Sequence, residues 1–278
     1  MGLRLCAVVV LYYPDNMVWQ NIKKYKDSID KLYLYDNTDT NNDSFYHGIT
    51  DDSIVVLKAY GNNLGIAKAF NVAIEQASKD GFRYLLLMDQ DSFFDYVELE
   101  KYKKKIEFDI NYHNKRTAIY APNILEANGK PTNYLPKEYA ISSGSVLDLK
   151  EIGEIGKFKE EYFIYLVDVE YCKRATTRGY KIERYLDIYL HHQTNDINNN
   201  QYARKTNKLA YYYAVRNKHY FLKEYPTDGF YNRMKELLHT YEFWLSIAKR
   251  EKTTKTAIVY MLKGVIGYIR QEKGKYPG

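Results

Sequence analysis

Over the first ninety positions, hydrophobic residues come in short continuous runs separated by polar punctuation. Residues 5–11 read Leu-Cys-Ala-Val-Val-Val-Leu, apolar without alternation, which predicts a strand buried on both faces. Tyr12-Tyr13-Pro14-Asp15-Asn16 breaks the run, and a helix is expected over 18–29. Further strands are predicted at 32–35, ending on Asp36-Asn37, at 54–57 and at 84–88. Between the last two, Ala67, Phe70, Ile74 and Ala77 step by three and four, the spacing of one helix face. Strands alternating with helices predict an α/β fold with a mostly parallel, doubly wound sheet.

Beyond residue 117 the pattern is less regular. A strand is expected at 118–121, and 139–147 reads as a strand interrupted by the small-residue turn Ser142-Ser143-Gly144-Ser145. A helix should follow Asp168, and a strand should return at 185–190. Helical periodicity then dominates, over 209–220, 230–248 and 254–270. The expected organisation is an α/β domain over 1–200 and a helical extension over 201–278 packed on it, with 92–116 and 126–138 as loops.

Composition narrows the function. Hydrophobic residues at 45% and charged residues at 27% describe an ordinary globular chain. A formal net charge of +6, with no concentrated basic stripe, argues against nucleic acid as a partner. Cys6 and Cys172 sit in apolar or helical contexts without a CxxC pair and read as reduced thiols. The N-terminus lacks a signal-peptide layout, and no apolar stretch approaches the ~20 residues that span a bilayer. The expectation is a cytoplasmic protein, at most peripheral to the inner face of the plasma membrane.

In open α/β sheets, ligands bind beyond the carboxyl ends of the strands. Those ends carry Leu11-Tyr12, Asp36-Asn37, Gly61-Asn62-Asn63 and Asp89-Gln90-Asp91. Asp89 and Asp91 lie one residue apart on the same side of an extended chain, and hard oxygen ligands of this kind suit Mg²⁺ or Mn²⁺ completed by substrate phosphates. Asp36 suits either a hydrogen bond to a pyrimidine or ribose, or an Asx-turn with Asn37. Asn63-Leu64-Gly65 opens a helix whose N-terminal N–H groups would face a diphosphate, with Lys68 one turn in; plain N-capping by Asn63 and a solvated Lys68 is the alternative. Asp168 either caps its helix or takes the proton from an attacking hydroxyl. At His191-His192, one imidazole would complete a metal sphere, with His191 the expected ligand.

In their order and spacing, these pieces resemble the family 2 glycosyltransferases of GT-A fold, in the rhamnosyltransferase-like branch that builds bacterial surface polysaccharides. The resemblance rests on Val8-Val9-Val10-Leu11-Tyr12, Asp36-Asn37, Asn63-x-Gly65-x-Ala67-x-Ala69-x-Asn71, Leu87-Met88-Asp89-Gln90-Asp91 and Ser143-Gly144-Ser145. It continues through Asp168-Val169-Glu170-Tyr171-Cys172-x-Arg174, Gly179-Tyr180 and Tyr211-Tyr212-x-x-x-Arg216-Asn217. It implies a nucleotide-diphosphate sugar donor held by Leu11, Tyr12, Asp36, Asn63, Lys68, Asp89 and Gln90. It further implies a Mn²⁺ or Mg²⁺ site at Asp89, Asp91 and His191, an acceptor side at Ser143 and Gly144, and an inverting reaction with Asp168 as base. The acceptor would be a saccharide, free or lipid-linked. Two positions depart from the family pattern: Tyr165, where many relatives carry an extra Asp, and Gln193-Thr194-Asn195, where a glycine usually follows the histidine.

Two other functions compete with this one. A sugar nucleotidyltransferase would show a Gly-rich basic loop after the first strand, where this chain has Tyr12-Tyr13-Pro14-Asp15; a non-catalytic nucleotide-sugar scaffold would have no need of Asp168. The last predicted helix has Ile258, Leu262, Val265 and Ile269 on one face, and 251–275 holds six basic residues against Glu251 and Glu272. That pattern suits docking on an anionic bilayer or packing on the core.

Overall fold

The computed structural model describes residues 2–40, 43–46, 51, 53–58, 61–113, 116–125, 131, 136–192 and 207–278. The continuous apolar runs form the strands predicted from them: β1 (Leu5–Leu11), β2 (Lys31–Asp36), β3 (Ile54–Lys58) and β4 (Tyr84–Asp89). They are followed by β5 (Ser92–Phe93), β6 (Thr117–Leu125), β7 (Val146–Asp148) and β8 (Lys181–His192). The sheet order is β3-β2-β1-β4-β7-β6-β8-β5. The first four strands are mutually parallel, as is the β6/β8 pair, while β7 and β5 run antiparallel to their neighbours. The chain reverses its direction of winding between β1 and β4, so the crevice at their carboxyl ends is where a doubly wound sheet places a ligand.

Alternate residues of β1 and β4 feed opposite faces. Val8, Leu85 and Leu87 meet Phe70 and Ile74 of helix α2, and Tyr171 and Cys172 of helix α5. Val9, Leu86 and Met88 meet Ile22 of α1 and Leu99, Tyr102 and Ile106 of α3. Here α1 is Asn16–Tyr25, α2 Ile66–Lys79, α3 Tyr96–Tyr112 and α5 Val167–Thr177, with a short α4 (Ile152–Ile155) between β7 and α5. The C-terminal helices are α6 (Lys208–Glu224), α7 (Gly229–Arg250) and α8 (Thr254–Ile269).

Several expectations change. Helix α1 starts earlier than predicted because Asp15 caps it, its Oδ1 accepting from the Met17 amide at 2.9 Å. The segment 92–116 is mostly the helix α3 and not a loop: Leu99, Tyr102 and Ile106 form its buried stripe among many exposed charges. In 139–147, strand pairing is confined to Val146 onward. Residues 126–130, 132–135, Gln193-Thr194-Asn195 and the expected domain boundary at 200/201 lie outside the described residues.

Candidate active site and its relatives

The carboxyl ends of β1, β2 and β4 are stitched together by side chains. Gln90 ties the tip of β4 to β1: its Oε1 accepts from the Tyr12 amide at 2.8 Å and its Nε2 donates to the Tyr12 carbonyl at 3.2 Å. Leu11 is buried, and its carbonyl accepts from the Asn37 amide at 2.9 Å. Asp36 is buried and makes an Asx-turn, Oδ1 accepting from the Thr38 amide at 3.0 Å. That turn aims Asp39, which sequence reasoning missed, at two neighbours. Tyr12 donates its hydroxyl to Asp39 Oδ2 at 3.1 Å, and the Asn63 amide donates to Asp39 Oδ1 at 3.2 Å.

Asn63 accepts from the Gly65 amide at 2.9 Å, shaping the turn into α2. Gly65 has φ +85°, and a Cβ there would sit 2.6 Å from the Phe163 carbonyl oxygen; only glycine fits this approach. Lys68 turns away from the strand tips to pair with Glu160 at 3.2 Å, and Asn71 Nδ2 donates to the same carboxylate at 2.9 Å.

The sharpest cluster lies at the end of β4. Ligand atoms of Asp89, Asp91 and His192 all fall within 4.8 Å of one another. His192, and not the expected His191, takes this place because β5 pairs Ser92 with His192 and Phe93 with His191. Strand alternation then turns the two imidazoles opposite ways. His192 Nδ1 reaches Ser92 Oγ at 2.7 Å and Asp91 Oδ1 at 3.6 Å. His191 stacks on the Phe93 ring with centroids 4.8 Å apart and faces Asp95. Burial, then the charges of Asp91 and Asp168, push the Asp89 carboxyl up to about 7. A carboxylate cluster that holds a proton to neutral pH, with an imidazole beside it, is a donor set that fits Mg²⁺ or Mn²⁺ in place of that proton.

Ser143 and Gly144 lie beneath Asp89 and both are buried. Ser143 Oγ accepts from the Asp89 amide at 3.2 Å, and the Gly144 amide donates to the Leu87 carbonyl at 2.8 Å. The turn braces β4 from below. Its neighbour Ser142 donates its amide to Asp168 Oδ2 at 3.3 Å, linking that brace to the start of α5.

Asp168 stands in the first turn of α5, its Oδ1 also accepting from the Val169 amide at 2.8 Å. Burial raises its carboxyl above the usual range, and these amide donors partly offset the rise. The loop leading to it carries three non-glycine residues at positive φ: Phe163 (64°), Tyr165 (65°) and Leu166 (60°). Such a run persists only where its surroundings over-determine it, and here five successive carbonyls are captured. Arg216 Nη2 donates to the carbonyls of Glu161 and Tyr162, and Asn217 Nδ2 to those of Tyr162, Ile164 and Tyr165, at 2.8–3.2 Å. The Phe163 carbonyl accepts from the Ile66 amide at 2.8 Å. Arg216 and Asn217 are fully buried, and Arg216 Nη1 also holds the Gly274 carbonyl at 2.8 Å. Within α5, the buried Glu170–Arg174 pair at 2.9 Å fixes the helix, Arg174 also donating to the Ile155 and Lys157 carbonyls.

The C-terminal segment returns to the same rim. Lys275 Nζ lies 3.0 Å from Asp39 Oδ1, beside a cleft of about 480 Å³ lined in part by Asn62, Asn63, Lys68 and Phe163.

No family model matches the chain. A curated relative, the dTDP-rhamnosyl transferase RfbF of Shigella flexneri, is 26% identical over 213 residues, covering 70% of this chain and 71% of RfbF. Among solved structures, S. aureus TarS superposes with a TM-score of 0.56 at 15% identity, over 89% of this chain and 43% of that one. Its 1–349 fragment in complex with UDP-GlcNAc gives 0.54 at 13% identity, over 97% of this chain and 93% of the fragment. The mannosyltransferase PcManGT of Pyrobaculum calidifontis, in complex with GDP-Man and Mn²⁺, gives 0.55 at 11% identity, over 96% and 76%. By sequence the chain is similar to a dTDP-rhamnosyl transferase, and its fold is the GT-A architecture shared by TarS and PcManGT.

Proposed function

We propose that the chain transfers a sugar, with inversion, from a nucleotide-diphosphate donor to a hydroxyl of a saccharide acceptor in surface polysaccharide synthesis. Asp168 carries the reading: a carboxyl of raised pKa, electrostatically coupled to Asp89, at the crevice where a doubly wound sheet takes its ligand. A raised pKa makes its carboxylate a better base toward the acceptor hydroxyl. Proton removal lets that oxygen displace the nucleoside diphosphate at the anomeric carbon through an oxocarbenium-like state. The Asx-turn at Asp36, with Tyr12, Asp39 and Asn63, forms the nucleoside end of the donor pocket, and Gln90 fixes its floor.

Asp89, Asp91 and His192 would hold Mn²⁺ or Mg²⁺, which neutralises charge on the departing diphosphate. Asp91 is exposed at the crevice and His192 half-buried beside it, so the set opens toward a substrate phosphate. The relative named for dTDP-rhamnose supports that donor, and the neighbour complexes with UDP-GlcNAc and GDP-Man support the wider class, UDP-hexoses included. The acceptor is taken to be lipid-linked, with the protein working at the cytoplasmic face of the membrane.

Asp168→Asn tests the assignment. It should leave donor binding, measured as a thermal shift with dTDP- and UDP-sugars and Mn²⁺, within about twofold of wild type. Transfer should fall by a factor on the order of 10³, the contribution of a positioned base. Transfer at the wild-type rate would remove Asp168 from the mechanism.

A further inference from the structure

Helix α8 is built inside out. Its inward face is mostly small: Ala257, Gly264 and Gly267 are buried, with Met261 the one large side chain buried beside them. A Cβ on Gly264 would come 2.6 Å from the Tyr212 carbonyl oxygen, and one on Gly267 2.5 Å from the Tyr212 hydroxyl. Backbone-close packing on α6 therefore takes up this face. Most of the large aliphatics point the other way: Ile258, Val259, Leu262, Ile266 and Ile269 are 46–69% exposed. Val265, expected on the outer stripe, instead packs against the Tyr211–Met261 cluster, and Ile266 takes its place. At spacings of four, four and three, Ile258, Leu262, Ile266 and Ile269 fall within one stripe of the helix surface. A single exposed leucine calls for no explanation, but a contiguous stripe of this kind marks a surface that another apolar phase covers.

The charge around the stripe is predominantly positive, with Glu251 the acidic neighbour before it. Helix α8 contains Lys255 and Lys263 and no acidic residue, with Lys252 before it and Arg270 and Lys273 after it. The neighbouring carboxylate of Glu272 is turned inward, accepting from the Tyr212 hydroxyl at 2.7 Å. In a twofold pairing of this face with itself, lysine rims would oppose one another. Apolar depth with a cationic rim complements the headgroup and acyl layers of an anionic bilayer, where lysine stems lie along the apolar phase and their ammonium groups reach phosphate.

We propose that the outward face of α8 seats the protein on an anionic lipid surface, with Ile258, Leu262, Ile266 and Ile269 inserted and Lys252, Lys255 and Lys263 at headgroup level. On this proposal the helix serves both readings, one on each face: the mostly small inward face packs on the core and the outward aliphatics face lipid. The proposal rests on the lipid-linked acceptor in the function proposed above. It is tested without donor or acceptor, so its failure leaves the transfer reaction untouched.

The experiment is co-sedimentation of the full chain with vesicles of phosphatidylcholine, with and without phosphatidylglycerol, at low and high salt. Wild type should pellet with the anionic vesicles at low salt and be released by high salt. Leu262→Ser/Ile266→Ser should weaken the partition about tenfold, and Lys252→Glu/Lys255→Glu should do so by a similar factor on anionic vesicles only. All four side chains are outside the core, so the melting temperature and transfer to a soluble saccharide should stay at wild-type values. Two results would overturn the proposal. One is wild-type protein that stays in the supernatant or pellets equally with neutral and anionic vesicles. The other is a dimer, seen by light scattering, that Leu262→Ser/Ile266→Ser dissolves in protein indifferent to vesicles; a second copy would then cover the face.

Discussion

Replacing Asp89 with asparagine should make the metal-free protein more stable while destroying its activity. The Asp89 carboxyl is pushed from 3.8 up to about 7, chiefly by burial and secondarily by Asp91 and Asp168. A native pKa raised by that much destabilises the fold by ~4 kcal/mol once the group ionises, at 1.36 kcal/mol per pH unit. Solvent at the open rim screens about half of that, leaving about 2 kcal/mol. The sign follows from the direction: stability is fully present below pH 3.8, where both folded and unfolded chains are protonated, and is lost as pH rises through about 7. Asparagine is neutral throughout and escapes the loss. In EDTA at pH 8, Asp89→Asn should therefore melt about 4 °C above wild type, with the gap shrinking to roughly a third at pH 5. With Mn²⁺ added the order should reverse, since metal stabilises only the protein that ligates it. Differential scanning fluorimetry across pH, with and without metal, measures all of this. An Asp89→Asn protein that melts below wild type at pH 8 in EDTA, or a gap independent of pH, would refute the reasoning.

Other substitutions read the rest of the site. Gly65→Ala forces a Cβ to within 2.6 Å of the Phe163 carbonyl at φ +85°; it should cost about 3 kcal/mol and lower the melting temperature by about 6 °C. Asn217→Ala strips a donor from three carbonyls, one buried and two partly buried, and should cost a similar ~3 kcal/mol. If that loop positions Asp168, kcat should also fall more than about tenfold with donor KM nearly unchanged, and an equal loss in both would argue for general damage instead. Lys275→Ala leaves the core alone and should raise donor KM by about twofold to fivefold, an effect that fades in high salt because the Lys275–Asp39 pair is exposed.

The sheet was legible because strands buried on both faces must be apolar at every position, and 5–11 and 84–88 are. Asp89 and Asp91 were legible because an apolar strand has no structural use for two adjacent-face carboxylates at its tip. Helix α3 was missed because Leu99, Tyr102 and Ile106 are diluted by lysines and glutamates that solvate its outer side. The choice between His191 and His192 depends on a two-residue strand, Ser92–Phe93, whose pairing fixes which ring turns inward; no spacing in the sequence encodes that. Asp39 escaped notice because it acts through a turn set by Asp36. The left-handed run at Phe163, Tyr165 and Leu166 contains no glycine or asparagine to announce it. It is imposed from about fifty residues away by Arg216 and Asn217, a determinant that only tertiary structure reveals.

The grip of Arg216 and Asn217 on this loop is made to main-chain oxygens. Such a clamp is indifferent to which side chains the loop displays, so backbone shape and chemical character are inherited separately. The exposed Ile164 can change identity while the path to Asp168 stays the same, whereas Tyr165 packs edge-on against Trp244. Ile164 is therefore the loop position open to substitution without moving Asp168, and the pair that grips the loop is the place to leave alone.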